Sequence, residues 1–259
     1  MNANMYNNNN YGGVNEKENW KPANFHEGGD IESGYDNYKM NTELEMRLGF
    51  IRKVYGILCV QLLLTTVMCM ISMTIPAVSH FQKANSPVLW GALILSIIVL
   101  LAICCVPGVS RQVPLNYILL FTFTFCEGYI ISAVCATTSP KIVLMAAAMT
   151  TTMTLLLTVY ACTTKTDFTL CGSMLFIVSC CLLILSIFAI FFKFLAVFVA
   201  TIGIFLYAVY LVYDTQLLLG NKENALDLED YILGALMLYM DIINMFLYLL
   251  QILKFFSSN

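Results

Sequence analysis

The chain is predicted to be an all-α membrane protein with seven transmembrane helices. Three observations predict it. Of its 259 residues, 59% are hydrophobic and only 11% charged; soluble domains average roughly 45–50% apolar and 25% charged. Seven apolar runs follow one another, each near the ~20 residues that cross ~30 Å of hydrocarbon as a helix. Pro76, Pro87, Pro107, Pro114 and Pro140 each sit at the edge of a run, and none interrupts a run's centre. Strands are excluded by the length of the runs and by the need to satisfy every backbone group internally.

Residues 1–46 come first. MNANMYNNNNYGGVNEKENW is rich in Asn, Gly and charge and cannot bury a core. The segment reads as a disordered, acidic, cytosolic tail. It holds eight acids and three bases, whereas the remainder holds eight acids and ten bases, so the net charge of −3 is unevenly placed. Residues 47–259 form the seven-helix domain. ELEMRLGFIRK (Glu43 to Lys53) has the pattern of a short amphipathic helix leading into the membrane. The spans follow at about 54–75, 88–106, 115–135, 142–162, 170–191, 194–219 and 231–255. Only Phe192 and Lys193 separate the fifth from the sixth. No cleavable signal is visible, so the first span serves as the targeting signal.

Orientation follows the basic residues of short loops. A cytosolic N-terminus puts Lys39, Arg47, Arg52, Lys53, Arg111, Lys165 and Lys222 on that side, and Lys83, Lys141, Lys193 and Lys254 on the other. Seven against four favours it. No basic cluster suggests nucleic-acid binding. Ten cysteines lie in or beside apolar runs, with no CxxC pair and only two histidines. They read as small packing residues rather than a disulfide framework or zinc site.

Three acids lie inside the spans: Glu127, Asp214 and Asp241, with no Lys or Arg at similar depth. A carboxylate at the centre of a membrane helix costs roughly 2.5–3.5 kcal/mol on insertion scales and marks an ion or proton path by default. Helical spacing gives each acid polar neighbours. Asp241, Asn244, Tyr248 and Gln251 share a face of the last span, Tyr207, Tyr210 and Asp214 one of the sixth, and Asn116 and Glu127 one of the third. The simplest arrangement turns all three stripes toward a common wet centre. The consecutive helices bearing Asp214 and Asp241 are antiparallel, and a depth difference of roughly 7 Å is within reach of helix tilt or a longer lead into the last span.

Two carboxyls in contact and partly desolvated do not both ionise near neutral pH, and they titrate as a unit. One shared proton locks two helices together. Its loss drives them apart or invites a cation, with calcium suited to hard oxygen ligands. The site would then hold calcium transiently. The acids Glu223, Asp227, Glu229 and Asp230 read as a solvated loop with helix-start acids, and Phe121, Phe123 and Phe125 as lipid or packing surface.

FIRKVYGILCVQLLLTTV (Phe50 to Val67), PLNYILLFTFTFCEG (Pro114 to Gly128), KTDFT (Lys165 to Thr169), VYDTQ (Val212 to Gln216) and YMDIINMFLYLLQIL (Tyr239 to Leu253) resemble the transmembrane Bax inhibitor motif family, its lifeguard branch in particular. The resemblance runs from about Arg47 to Phe256. It implies seven helices with the last enclosed by two three-helix groups, a proton-sensitive calcium leak from Golgi or endoplasmic reticulum stores, and suppression of cell death. Calcium is implied as a permeant ion, with no resident cofactor, and cell-death or calcium-channel proteins as partners beside the lipid bilayer. The family's paired aspartates match Asp214 and Asp241, and its third-span acid matches Glu127. A basic residue that latches the pair in bacterial relatives falls at Arg111, or at Ser110 when aligned on Pro114 or Tyr117. Val99 stands where those relatives carry a second-span acid.

Two other readings compete. An intramembrane aspartyl protease also uses two aspartates on adjacent spans, but Leu238-Tyr239-Met240 precedes Asp241 where that class carries Gly-x-Gly, and no Pro-Ala-Leu segment follows. The chain is therefore read as non-enzymatic. A flux-free scaffold that regulates cell death through protein contacts would use the same helices. A seven-helix receptor is disfavoured by the cytosolic N-terminus, and a retinal protein by the position of Lys254 at the end of the last span.

Overall fold

The computed structural model describes residues 27–220 and 224–257, with side chains from Tyr38 onward except at Pro107. It divides into two units, 1–43 and 44–259. In the first, helix α1 (Glu27–Thr74) begins, and the Thr42 hydroxyl donates to the carbonyl of Tyr38. The expected disordered tail is corrected here: residues 27–46 are helical. No proline interrupts Glu27 to Ile75. The disorder expected of residues 1–26, and the acid Glu223, lie outside the described residues.

The second unit holds the rest of α1 and then α2 (Pro76–Ala84), α3 (Ser86–Cys105), α4 (Pro107–Arg111), α5 (Leu115–Ala136), α6 (Pro140–Thr163), a 3-10 turn (Thr169–Cys171), α7 (Gly172–Ala189), α8 (Lys193–Leu219) and α9 (Tyr231–Ser257). Seven helices among the described residues are long and apolar enough to cross a membrane: α1, α3, α5, α6, the turn with α7, α8 and α9. The chain is an all-α integral membrane protein. Proline opens α2, α4 and α6, where its missing N–H costs nothing. Gly220 ends α8 at φ 68°, its N–H returning to the Gln216 carbonyl, as a left-handed helix stop requires.

α9 sits at the centre. It buries residues all round, from Ile232 and Ala235 to Tyr239, Met245 and Leu250, the pattern of an enclosed helix rather than an amphipathic one. α8, α6 and α5 pack on it directly, and α1 reaches it through a 2.8 Å bond between the Thr65 and Tyr239 hydroxyls. One set of neighbours is α1, α3 and α5, joined by Gln61 donating to Thr124 and by the α3–α5 contact. The other is α6, α7 and α8. Outward-facing Leu155, Leu156, Phe176 and Leu183 are exposed, which suits contact with lipid. Of the aromatic stripe on α5, Phe125 faces out while Phe123 packs edge-on against Tyr239, ring centroids 6.1 Å apart.

The short helix α2 has no counterpart among the expected elements. Its Gln82 is buried, accepting from Ser72 of α1 and donating to Ser132 of α5, so a polar residue of the connection becomes a tie between two spans.

Candidate functional site

α8 and α9 run antiparallel in close contact, and their register explains the site. Near one end, Gly203 faces Tyr248: a Cβ there would stand 2.5 Å from the Tyr248 ring. Near the other, Gly234 faces Leu218, whose Cδ2 would be 2.7 Å from an added Cβ. Each glycine lets one helix approach the other. Because Leu218 meets Gly234, the first turn of α9 extends past the end of α8. That lead absorbs much of the depth difference between the two acids.

Between these contacts, the Asp214 and Asp241 carboxyls hydrogen-bond to one another. Both are 4% exposed. A carboxyl–carboxyl hydrogen bond requires a proton on one of the two. The remaining oxygens, Asp214 Oδ1 and Asp241 Oδ2, are buried with no hydrogen-bond partner among the described residues. Such orphaned acceptors are costly in low dielectric. Their natural complements are a proton, water or a hard cation.

Tyrosines flank the pair. Tyr210 lies in electrostatic range of both carboxyls and Tyr207 of Asp241. Tyr248, Tyr207, Tyr210 and Tyr213 form a ladder with successive centroids 5.9, 5.9 and 6.4 Å apart. Tyr248 at its end joins Asn244, Gln251 and Ser186 in lining a cavity of about 400 Å³. Of the expected stripe on α9, Asn244, Tyr248 and Gln251 share this cavity, and Asp241 is not among its lining residues. Asn244 donates to the Met240 carbonyl and Gln251 to that of Ala196.

Glu127 is not brought to the pair. Its carboxyl lies beside Ser96 of α3, whose hydroxyl donates to the Leu93 carbonyl, and it faces Tyr239 on α9. Residues 239 and 241 project about 200° apart on a helix, so Glu127 stands across α9 from Asp241. This corrects the expected common wet centre. Asn116 is a structural tie: it donates to the Ser110 carbonyl and the Tyr231 hydroxyl.

Arg111 is also corrected. It donates 2.8 Å bonds to Asp230 and Asp227 and lies 3.6 Å from Glu229. The Asp230 hydrogen bond, with Asp227 adding to it, raises the guanidinium pKa above its ordinary value. Instead of latching the aspartates, Arg111 grips the loop ahead of α9. The acids it holds are more than the solvated face expected of them. Arg47 grips the same loop and Lys53 the start of α9: Arg47 donates to the Leu226 carbonyl, and the Lys53 ammonium sits 3.2 Å from the centroid of the Tyr231 ring. Three bases at one end draw toward a loop carrying three described acids, which only the folded connection brings within reach.

A family profile described as "Inhibitor of apoptosis-promoting Bax1" matches residues 47–258. The chain belongs to the Bax inhibitor, or lifeguard, family. It is 34% identical over 215 residues to Protein lifeguard 3 of Homo sapiens, covering 81% of this chain and 69% of that one. It is 35% identical to Protein LIFEGUARD 4 of Arabidopsis thaliana over 81% of this chain and 86% of that one, and 30% identical to Protein lifeguard 3 of Mus musculus.

Within this lifeguard chain, two of the recognised segments meet through a residue that counting acids overlooked. Gln216 of VYDTQ accepts from the Phe168 N–H and donates to the Thr166 carbonyl, at 2.8 and 3.0 Å. It thereby satisfies two backbone groups of the KTDFT loop. Asp167 in that loop caps the turn by accepting from the N–H and hydroxyl of Thr169. Gln216 and Gln61 were legible only as polar residues inside apolar runs.

Proposed function

We propose that this lifeguard-family protein is a pH-sensitive calcium leak pathway of an internal membrane, Golgi or endoplasmic reticulum. Its N-terminus is cytosolic, and it lowers stored calcium and thereby suppresses cell death. The observation that carries the reading is the buried hydrogen bond between Asp214 and Asp241, each with one unpartnered oxygen.

The chemistry is that of a shared proton. With it, the carboxyls bond and α8 stays on α9. Without it, two like charges face each other in low dielectric, where their repulsion is far stronger than in water. The helices then part, or a cation takes the proton's place. Calcium wants about six to eight oxygens and two carboxyls supply four, so the ion passes with part of its water shell. Tyr210, Asn244 and Tyr248 line its approach. Glu127 stands apart, and the gate is assigned to the two aspartates. The description of the matching family as an inhibitor of apoptosis-promoting Bax1 supports the cell-death role, with cell-death or calcium-channel proteins as partners. No catalytic step is needed.

Calcium efflux from loaded proteoliposomes tests the reading. Purified protein is expected to raise efflux above protein-free vesicles, and Asp241→Asn to change that rate. Efflux indistinguishable from empty vesicles at every pH would leave the flux-free scaffold in its place.

A further inference from the structure

A groove opens along the central helix. It runs between α1 and α6, is floored by Ile242, Ile243 and Phe246 of α9, and holds about 450 Å³. Its α1 wall extends from Leu62 to Met73 and its α6 wall from Pro140 to Thr151. At 1.5 Å per residue each wall is about 16 Å long. Met73 stands beside the end of α1, and Pro140 opens α6. The groove therefore starts at one boundary of the spans and runs inward for the depth of one leaflet, half of the ~30 Å of hydrocarbon. Met70 and Leu144, on its rim, are 61% and 73% exposed, so it opens sideways to the bilayer.

No charged residue lines it. Thr65, Thr66, Thr150 and Thr151 each donate the hydroxyl to the carbonyl four residues back, which engages their donors within their own helices and leaves little to hold water. Such a space is filled from the surrounding hydrocarbon rather than by solvent. Its volume over its length gives a mean section of about 28 Å², a passage about 6 Å wide, against the ~10–12 Å of a helix with its side chains. One flexible hydrocarbon chain fits, and another span does not.

Charge at the mouth selects the rest of the occupant. The connections and helix ends at this end of the domain carry His80, Lys83, Lys141, Lys193 and Lys254 and no acidic side chain, whereas Asp167, Asp227, Glu229 and Asp230 lie at the other end. Lys141 follows Pro140 of the groove, is exposed, and has no ion-pair partner among the described residues. We propose that the groove binds a phospholipid of the surrounding leaflet, with one acyl chain lying along α9 between α1 and α6 and the phosphate at Lys141. The bound chain fills the seam and backs α9 from Phe246 to Ile242, the residue after Asp241. The site is independent of any ion flux.

Full-length protein in phosphatidylcholine nanodiscs tests this, with increasing fractions of a phospholipid that bears a photoactivatable diazirine near the end of one acyl chain. After irradiation, cross-linked residues are mapped by mass spectrometry. Label is expected within Leu62 to Met73 and Pro140 to Thr151. It should saturate at low probe fraction and stand several-fold above that at Phe176 and Leu183, which are exposed on α7. Ala147→Trp, which fills the groove, is expected to remove this label and leave that on α7 unchanged, and Lys141→Gln to weaken it several-fold. Groove label in the wild type that only rises in proportion to the probe and matches α7 would overturn the proposal. So would its displacement by a sterol, which has an apolar body and no phosphate, or undiminished label in Ala147→Trp.

Discussion

Asp214 of α8 and Asp241 of α9 are hydrogen-bonded across a long helix contact, and each has one buried oxygen with no hydrogen-bond partner among the described residues. Two helices joined by one strong central contact and packed tightly at Gly203 and Gly234 can be parted at the middle only by changing that contact.

The glycine contact gives the first expectation. Gly203→Ala places a Cβ among three Tyr248 ring atoms 2.5–2.7 Å away. Overpacking of this kind costs roughly 1–3 kcal/mol. Thermal unfolding in detergent is expected to show a lowered midpoint, restored in part by Tyr248→Leu. An unchanged midpoint would mean the helices are not held at this distance.

Gln216→Leu removes the partners of two backbone groups, the Phe168 N–H and the Thr166 carbonyl. Unsatisfied groups of this type cost about 1–3 kcal/mol each. The variant is expected to unfold earlier and to show faster amide hydrogen exchange at residues 165–169, with α9 unaffected.

The Thr65–Tyr239 bond is measurable by a double-mutant cycle using Thr65→Val and Tyr239→Phe. Hydrogen bonds between membrane helices average about 0.6 kcal/mol by this method, and a coupling of that order is expected. Strict additivity would place the hydroxyls out of contact.

Arg111→Gln is expected to speed amide exchange in residues 224–230, because the clamp on Asp227 and Asp230 is lost. The pair is partly exposed, so high salt is expected to have the same effect on the wild type and little on the variant. The raised guanidinium pKa fixes the pH dependence: Arg111 stays charged through neutral and mildly alkaline pH. The clamp therefore holds as pH rises through that range. Loosening of the loop between pH 7 and 9 would contradict this.

Much of the fold was legible because a bilayer imposes length and polarity on each span. The predicted runs at 115–135 and 194–219 match α5 and α8 to within a residue or so. The central place of α9 rested on resemblance, although its lack of a polar face outside the Asp241 stripe fits enclosure. The pairing of Asp214 with Asp241 was legible because consecutive antiparallel spans force neighbouring faces. Glu127 was misplaced for the complementary reason: spacing names the face of its own helix, not the neighbour that face meets, and here the neighbour is Ser96. Arg111 and Gln82 act through partners 116 to 119 and 50 residues away, which no local pattern encodes. The helical stretch before Arg47 was missed because its composition outweighed its freedom from proline.

The most direct measurement is calcium efflux from proteoliposomes across a series of pH values, comparing the wild type with Asp214→Asn and Asp241→Asn. The account predicts that wild-type efflux rises as pH is raised and the shared proton leaves, and that each variant shows an altered rate with a flattened pH response. Wild type and variants leaking alike, with one pH profile, would contradict it.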